Sequence, residues 1–312
     1  MPHPSLFVLA CLTSTLLTPL SISLAVRVRA IDSPDGLRKS HARPTPRLGG
    51  LAIFLSVTLF ALLFLPLTPL RGAWLSGGAL LCVLGISDDV FSLSPRLKML
   101  AMIFIALIPV CFGLAPSELV LGNKAISLPV LLSAPITLLW LLLLTNAYNL
   151  IDGLDGLAVT QGAVAAAALS LAAVASDGLL LSGALLGFLP YNRQATVFSS
   201  HRSLKRIPTR SFLGDTGALF VGYSLGVLSL GAKGRLSLFL PLLFALPLYE
   251  LISSVLRRII KGRSPFAADG HHLHHRLLQN GLSRTGTVLF LLLYGILFAC
   301  LYLFAETVVP LF

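Results

Sequence analysis

Four polar residues at strict three-residue spacing, Asn146, Asn149, Asp152 and Asp155, follow directly on the apolar run 138–144. Residues three apart are neighbours on a helix, so this row predicts a polar stripe curling slowly round one helix. Gly153 and Gly156 let the backbone bend there or another group come close. Carboxylates at the mouth of a membrane span are costly and point first to a functional site. A helix cap needs one such residue, not four in register.

Other polar groups punctuate the chain. Asp88 and Asp89 are adjacent carboxylates whose repulsion favours a bound cation or acid–base work. Lys98 opens the next apolar run, with a stem long enough to reach a phosphate at headgroup level. Gly214-Asp215-Thr216-Gly217 reads as a helix start offering free N–H groups and one carboxylate, suited to a metal–phosphate complex. Asp or Thr there would also serve as an ordinary cap.

The first basic segment carries Arg38, Lys39, His41 and Arg47, whose charges could hold phosphate. A topogenic loop explains those charges equally well, but not Pro44 and Pro46 around Thr45, nor Gly49-Gly50. Near the C-terminus stand His271, His272, His274, His275 and Arg276. His271 and His275 have the i, i+4 spacing of zinc sites, with Asp269 as the nearby third candidate. Imidazoles beside Arg276 suit a phosphate or sugar donor better, and a basic juxtamembrane surface is the plainer alternative.

The elements that must position these residues are membrane helices. The chain has 312 residues, 56% hydrophobic and only 11% charged, where a water-soluble domain carries about a quarter charged. Mean hydropathy is +0.90. Ten apolar stretches are candidate spans: 5–26, 48–66, 73–87, 99–115, 128–147, 158–175, 178–190, 213–231, 236–256 and 285–305. The expected fold is all-α, a polytopic membrane protein with about ten transmembrane helices in a single domain.

Of the 23 Lys and Arg, all but Arg71, Lys124, Lys233 and Arg235 fall in the segments 27–47, 88–98, 191–212 and 257–284. The positive-inside rule makes these cytoplasmic, with a further cytoplasmic loop at 148–157 and both termini outside. The net charge of +11 therefore reflects topology and anionic substrates, not nucleic acid. No basic n-region precedes the first apolar stretch, which reads as a retained span and not a cleaved signal. Cys11, Cys82, Cys111 and Cys300 sit inside apolar runs with no pairing pattern, as packing residues.

Carboxylates from three loops, glycines, and Lys and His donors thus gather at one membrane face. Mg²⁺ prefers such oxygens together with substrate phosphates. Such a site clamps a diphosphate and stabilises charge on a transferred phosphoryl group, and apolar surroundings suit a lipid co-substrate.

The motifs Arg38-Lys39-x-His41 with Pro44-x-Pro46-Arg47-Leu-Gly-Gly, Asp88-Asp89 with Pro95-Arg96-Leu-Lys98, Asn146-x-x-Asn149-x-x-Asp152-Gly-Leu-Asp155-Gly, Gly214-Asp215-Thr216-Gly217, and His272-x-His274-His275-Arg276 occur in that order. Together they resemble the polyprenyl-phosphate N-acetylhexosamine-1-phosphate transferases, the glycosyltransferase 4 group containing WecA, TagO and MraY. The His-x-His-His-Arg form is closest to the WecA/TagO branch.

The resemblance implies transfer of a sugar 1-phosphate, N-acetylglucosamine 1-phosphate first among the candidates, from a UDP-sugar to undecaprenyl phosphate with release of UMP. It implies Mg²⁺, with Mn²⁺ as a substitute, held by Asp215 and Asn149. It implies catalytic roles for Asp88, Asp89 and Asp152, with Asp88 as candidate base. Lys98 would hold the lipid phosphate. Asn146, Asp155, Asn192, Arg47, His272, His274, His275 and Arg276 would contact substrate. The setting would be a bacterial inner membrane with the site facing the cytoplasm, and a homodimer is compatible with it.

The sequence departs from the family pattern in places. Residues 193–210 look like an insertion able to displace Asp215 or alter donor choice. Ala218 stands where Ser is common, Glu250 where Asp is, and Gly270-His271 replaces a basic-plus-small pair. A catalytically silent homologue binding nucleotide-sugar or lipid phosphate is the alternative. A secondary transporter is a weaker one, because the chain lacks halves with matching interruptions.

Overall fold

The computed structural model describes residues 3–33, 44–173, 175–193, 210–231, 235–264 and 272–308. The chain runs α1 (Pro4–Arg27), β1 (Ile31–Asp32), β2 (Thr45–Pro46), α2 (Gly49–Phe64), α3 (Pro69–Phe91), α4 (Pro95–Ala106) and α5 (Ile108–Cys111). It continues through β3 (Glu118–Leu121), β4 (Lys124–Ser127), α6 (Val130–Ile151), α7 (Leu157–Ala173), α8 (Asp177–Asn192) and α9 (Gly214–Leu230). It ends with β5 (Arg235–Ser237), α10 (Leu240–Leu243), α11 (Ala245–Ile260), α12 (Leu273–Gln279) and α13 (Arg284–Val308).

Each of the ten apolar stretches carries a helix. Of these, α1, α3, α6 and α13 are long and apolar enough to cross a membrane, and α2 and α7 are apolar but shorter. The stretch expected at 99–115 divides into α4 and α5, because Pro109 supplies no N–H to continue the ladder. Pro241 stands in the first turn of α10, which ends at Leu243, and α11 begins after Phe244. Local sequence sets the starts of α3 and α4: Thr68 and Ser94 accept the N–H groups of Arg71 and Leu97, and Pro69 and Pro95 occupy the first turn.

At the centre is α9. From Thr216 to Leu230 every residue is buried, as a helix apolar on all sides must be. It lies against α2, α3, α6 and α7. Small residues let the backbones meet: a Cβ on Gly50 would strike the backbone of Gly217, and one on Gly85 the backbone of Thr216. Between helices in lipid there is little hydrophobic drive, so close approach of this kind carries the packing. Leu12, Leu16 and Leu20 of α1, Leu62 and Leu63 of α2, and Leu293 and Leu297 of α13 are exposed, an apolar belt that marks a membrane protein.

The strands are small. β1 and β2 pair antiparallel, Ile31 opposite Pro46 and Asp32 opposite Thr45. β3 lies between β4, antiparallel, and β5, parallel. This sheet stands before the start of α6, a 22-residue helix, and so roughly 30 Å from that helix's polar end. Arg71 near the start of α3 grips Asp177 at the start of α8 through two bonds, of 2.6 and 2.9 Å. All four cysteines are free. Cys82 is buried as expected, whereas Cys111 and Cys300 are exposed on the outer surface.

Because Gly50 has backbone against it, Gly50→Val should cost about 1–3 kcal/mol of stability. The measurement is the thermal unfolding midpoint in detergent, and an unchanged midpoint would contradict the close α2–α9 contact.

Candidate active site

The adjacent carboxylates Asp88 and Asp89 were expected in a loop. They occupy instead the last turn of α3, which continues to Phe91 and closes on Ser92 in a left-handed conformation (φ 53°). Asp88 helps to close it, its Oδ1 accepting the N–H of Leu93 at 2.7 Å. Successive helical residues point about 100° apart, so the two carboxylates serve different neighbours.

Asp88 Oδ2 accepts from Lys98 Nζ at 3.1 Å, and the same ammonium bonds Oδ2 of Asp215. The other oxygen of Asp215 accepts from Asn149 Nδ2 at 2.8 Å. One cation thus sits between carboxylates of two helices, with a side-chain amide alongside. Asp89, by contrast, is buried. Its Oδ1 accepts the N–H of Asp215 at 3.2 Å, and its Oδ2 accepts the N–H and hydroxyl of Thr216 at 3.1 and 2.8 Å. Asp89 is the cap of α9, supplied by another helix.

The expected polar stripe is half helical. Asn146 and Asn149 lie on α6, which ends at Ile151, and Asp152 and Asp155 fall in the turn that follows. Gly156 closes this turn at φ 84°, a conformation that favours glycine. Asp152 faces the backbone N–H of Gly214. Burial pushes its carboxyl well above the usual range, and Asp215, Asp155 and Asp89 push in the same direction. Asp155 pairs with Arg210.

Three residues expected on substrate make contacts within the protein. Asn192 is 1% exposed, its Oδ1 accepting Gly156 N–H at 2.6 Å and its Nδ2 donating to the Ser211 carbonyl at 3.3 Å. Its amide is spent on backbone, so it shapes the turn. Arg47 is ion-paired with Asp32. Asn146 donates to the Leu142 carbonyl of its own helix at 2.7 Å. The prolines and glycines of the first loop find a use: the Pro46 carbonyl accepts from Phe212 N–H and Ser211 Oγ, and Gly50 N–H donates to Leu213. This seam leads the chain from Arg210 into α9.

The histidines sit on and before α12. His272 and His274 are buried, His275 is half-buried and Arg276 is exposed. Burial, followed by the neighbouring imidazoles, holds His275 below its usual range. His272 and His274 turn Nδ1 towards Glu250 of α11, at 3.3 Å each. Glu250 had stood out in sequence only as a departure from pattern; its signal was an ionisable residue inside an apolar run. In sequence Thr216 reads as part of the Gly214–Gly217 motif and as a possible cap, not as a partner of Asp89, and Ser211 is not singled out. Arg38, Lys39, His41, Asp269 and His271 lie outside the described residues, as does most of the 193–210 insertion, so the zinc spacing concerns residues the structure does not describe.

Among the described residues no three carboxylates or imidazoles already stand at metal-ligand spacing. The donor set nevertheless fits a hard divalent cation. An ammonium already occupies the space between Asp88 and Asp215, and Asn149 adds an amide. Such a cation takes one or two carboxylates and leaves its remaining positions to water and phosphate.

Residues 72–233 match glycosyl transferase family 4. A probable undecaprenyl-phosphate N-acetylglucosaminyl 1-phosphate transferase of Bacillus subtilis is 34% identical, over 94% of this chain and 82% of its own. A decaprenyl-phosphate N-acetylglucosaminephosphotransferase of Mycolicibacterium smegmatis is 33% identical, over 87% and 74%. An undecaprenyl-phosphate alpha-N-acetylglucosaminyl 1-phosphate transferase of Thermotoga maritima is 30% identical, over 91% and 85%. With likeness extending over nearly its whole length, and with the matched region containing Asp88, Lys98, Asn149, Asp152 and Asp215, the chain belongs to glycosyl transferase family 4.

Proposed function

We propose that this protein transfers N-acetylglucosamine 1-phosphate from UDP-N-acetylglucosamine to a polyprenyl phosphate, undecaprenyl phosphate first among them, and releases UMP. The observation that carries the reading is Lys98 seated between Asp88 and Asp215 at the polar ends of apolar helices. The names of the relatives supply the substrates.

In the reaction an oxygen of the lipid phosphate bonds to the sugar-bearing phosphorus of the donor. The bond from that phosphorus to the bridging oxygen breaks, and UMP leaves with the electron pair. A phosphate monoester has its second pKa near about 6, so the nucleophile is largely dianionic at neutral pH. Alignment then counts for more than removing a proton. Lys98 holds the lipid phosphate, and Asp88 orients the ammonium from behind. Asp215 and Asn149, with Asp152 beside them, would hold Mg²⁺ or Mn²⁺, which would supply positive charge to the diphosphate. Asp89 acts at one remove, by fixing the start of α9. The 272–276 segment meets the donor.

The same reading places the protein in a bacterial inner membrane as a single domain of about ten spans. Both termini lie outside, and the segments 27–47, 88–98, 148–157, 191–212 and 257–284 face the cytoplasm. The charge distribution supports that orientation. A homodimer is compatible with it.

The test is UMP release by detergent-purified protein with undecaprenyl phosphate, Mg²⁺ and a panel of UDP-sugars. Release that requires lipid and metal, with UDP-N-acetylglucosamine preferred, is the expected result. No release from any donor by folded protein would instead indicate a silent homologue.

Two variants separate the roles of the carboxylates. Asp215→Asn should abolish turnover and leave the protein folded in the membrane; wild-type turnover would remove Asp215 from the mechanism. Asp89→Asn turns an NH₂ group towards the N–H donors of α9 and should lower stability by about 1–3 kcal/mol. Turnover should fall with it. An Asp89→Asn protein with an unaltered unfolding midpoint would show that the carboxylate does not cap α9.

A further inference from the structure

Glu250 lies in the apolar part of α11 and is 1% exposed. Among the described residues no Lys or Arg pairs with it. Oε1 accepts the N–H groups of Leu273 and His274 at 2.8 and 3.4 Å and faces Nδ1 of His274 at 3.3 Å. Oε2 faces Nδ1 of His272, also at 3.3 Å. The two rings are parallel, 5° apart with centroids separated by 5.5 Å.

An ionised carboxylate can only accept, so each Nδ1 that faces it carries a proton. That fixes the tautomer and leaves Nε2 free for other work, as the carboxylate partners of functional histidines do elsewhere. Nε2 of His274 is completely buried and has no hydrogen-bond partner. It lies 3.2 Å from where a Cβ would stand on Gly153 and so looks onto the 152–156 turn. A buried polar atom left unpaired costs about 1–3 kcal/mol. A ligand group arriving at that turn would remove the cost.

We propose that Glu250 is a positioning residue: it locks His272 and His274 with the proton on Nδ1 and presents Nε2 of His274 to the diphosphate of the nucleotide-sugar. This rests on the transferase reading above. When the ring is cationic, Nε2–H donates to a phosphate oxygen while the carboxylate behind it balances the charge. Gly153 is part of the device, since any side chain there would stand against Nε2.

Imidazole ¹⁵N shifts of histidine-labelled protein in detergent test the proposal, with His272→Gln and His274→Gln assigning the signals. Both rings should be protonated on Nδ1 in the wild type. Glu250→Gln turns an amide NH₂ towards one ring and should move that ring to the Nε2–H form. It should also raise the KM for UDP-N-acetylglucosamine about 10- to 100-fold, with the KM for the lipid unchanged. Glu250→Asp keeps the charge and should recover much of the donor affinity. Wild-type rings bare at Nδ1, or a folded Glu250→Gln protein with wild-type donor KM, would overturn the proposal. Should Glu250→Gln not fold, the wild-type spectrum decides alone. That spectrum needs no turnover, so a protein that released no UMP would defeat the transferase reading while the role of Glu250 was still judged by its rings.

Discussion

The site depends on one contact, the Asp89 carboxylate against the start of α9. A helix beginning inside a protein has unpaired N–H groups that water cannot reach. Here a neighbouring helix answers two of them and the Thr216 hydroxyl as well. The contact requires α3 and α9 to approach until a side chain on Gly85 would touch the backbone of Thr216. The same closeness brings Asp215 to Lys98 and Asn149. Two adjacent, chemically identical residues are thereby divided: Asp89 faces inward and holds the frame, and Asp88 faces the ammonium.

The charges run against ordinary helix electrostatics. Carboxylates are favoured at helix N-termini and disfavoured at C-termini, where the backbone dipole is already negative. Asp215 obeys the rule in the first turn of α9, and the Asp89 carboxylate meets the same N-terminus from outside. Asp88 and Asp89 end α3, and Asp152 caps the end of α6. Negative potential is therefore concentrated where helix ends converge, and Lys98 offsets part of it.

Much of this was legible in the sequence, for particular reasons. Each of the ten stretches marked by hydropathy carries a helix, because burial and lipid exposure both demand apolar residues. Hydropathy misplaced boundaries where the deciding factor was a single proline, as at Pro109, or a cap, as at Ser92. The carboxylates were legible because a charge beside an apolar run is expensive. The division between Asp88 and Asp89 was not, since it depends on the direction in which α9 arrives. Asn192 and Arg47 were assigned to substrate because polar residues in a motif invite that reading. Their amide and guanidinium are engaged by groups distant in sequence, the backbone of Gly156 and Ser211 and the carboxylate of Asp32. Glu250 and the two imidazoles were each visible in the sequence, and their pairing was not.

The broken stripe after α6 shows why the difference matters. Had the helix continued, Asp155 would stand about 4.5 Å further along the axis than Asp152, and both would serve one face. The turn spreads the same residues among separate neighbours: Asp152 to Gly214, Asp155 to Arg210, Gly156 to Asn192, and Gly153 to the imidazole of His274. Elements distant in sequence are thus registered against five residues. The glycines make this possible, one by its positive φ and the other by leaving room for a ring. A mere helix terminus would need neither. The three-residue spacing that first suggested a continuous helix is better understood as the spacing of two helical amides and two turn carboxylates, each with its own partner.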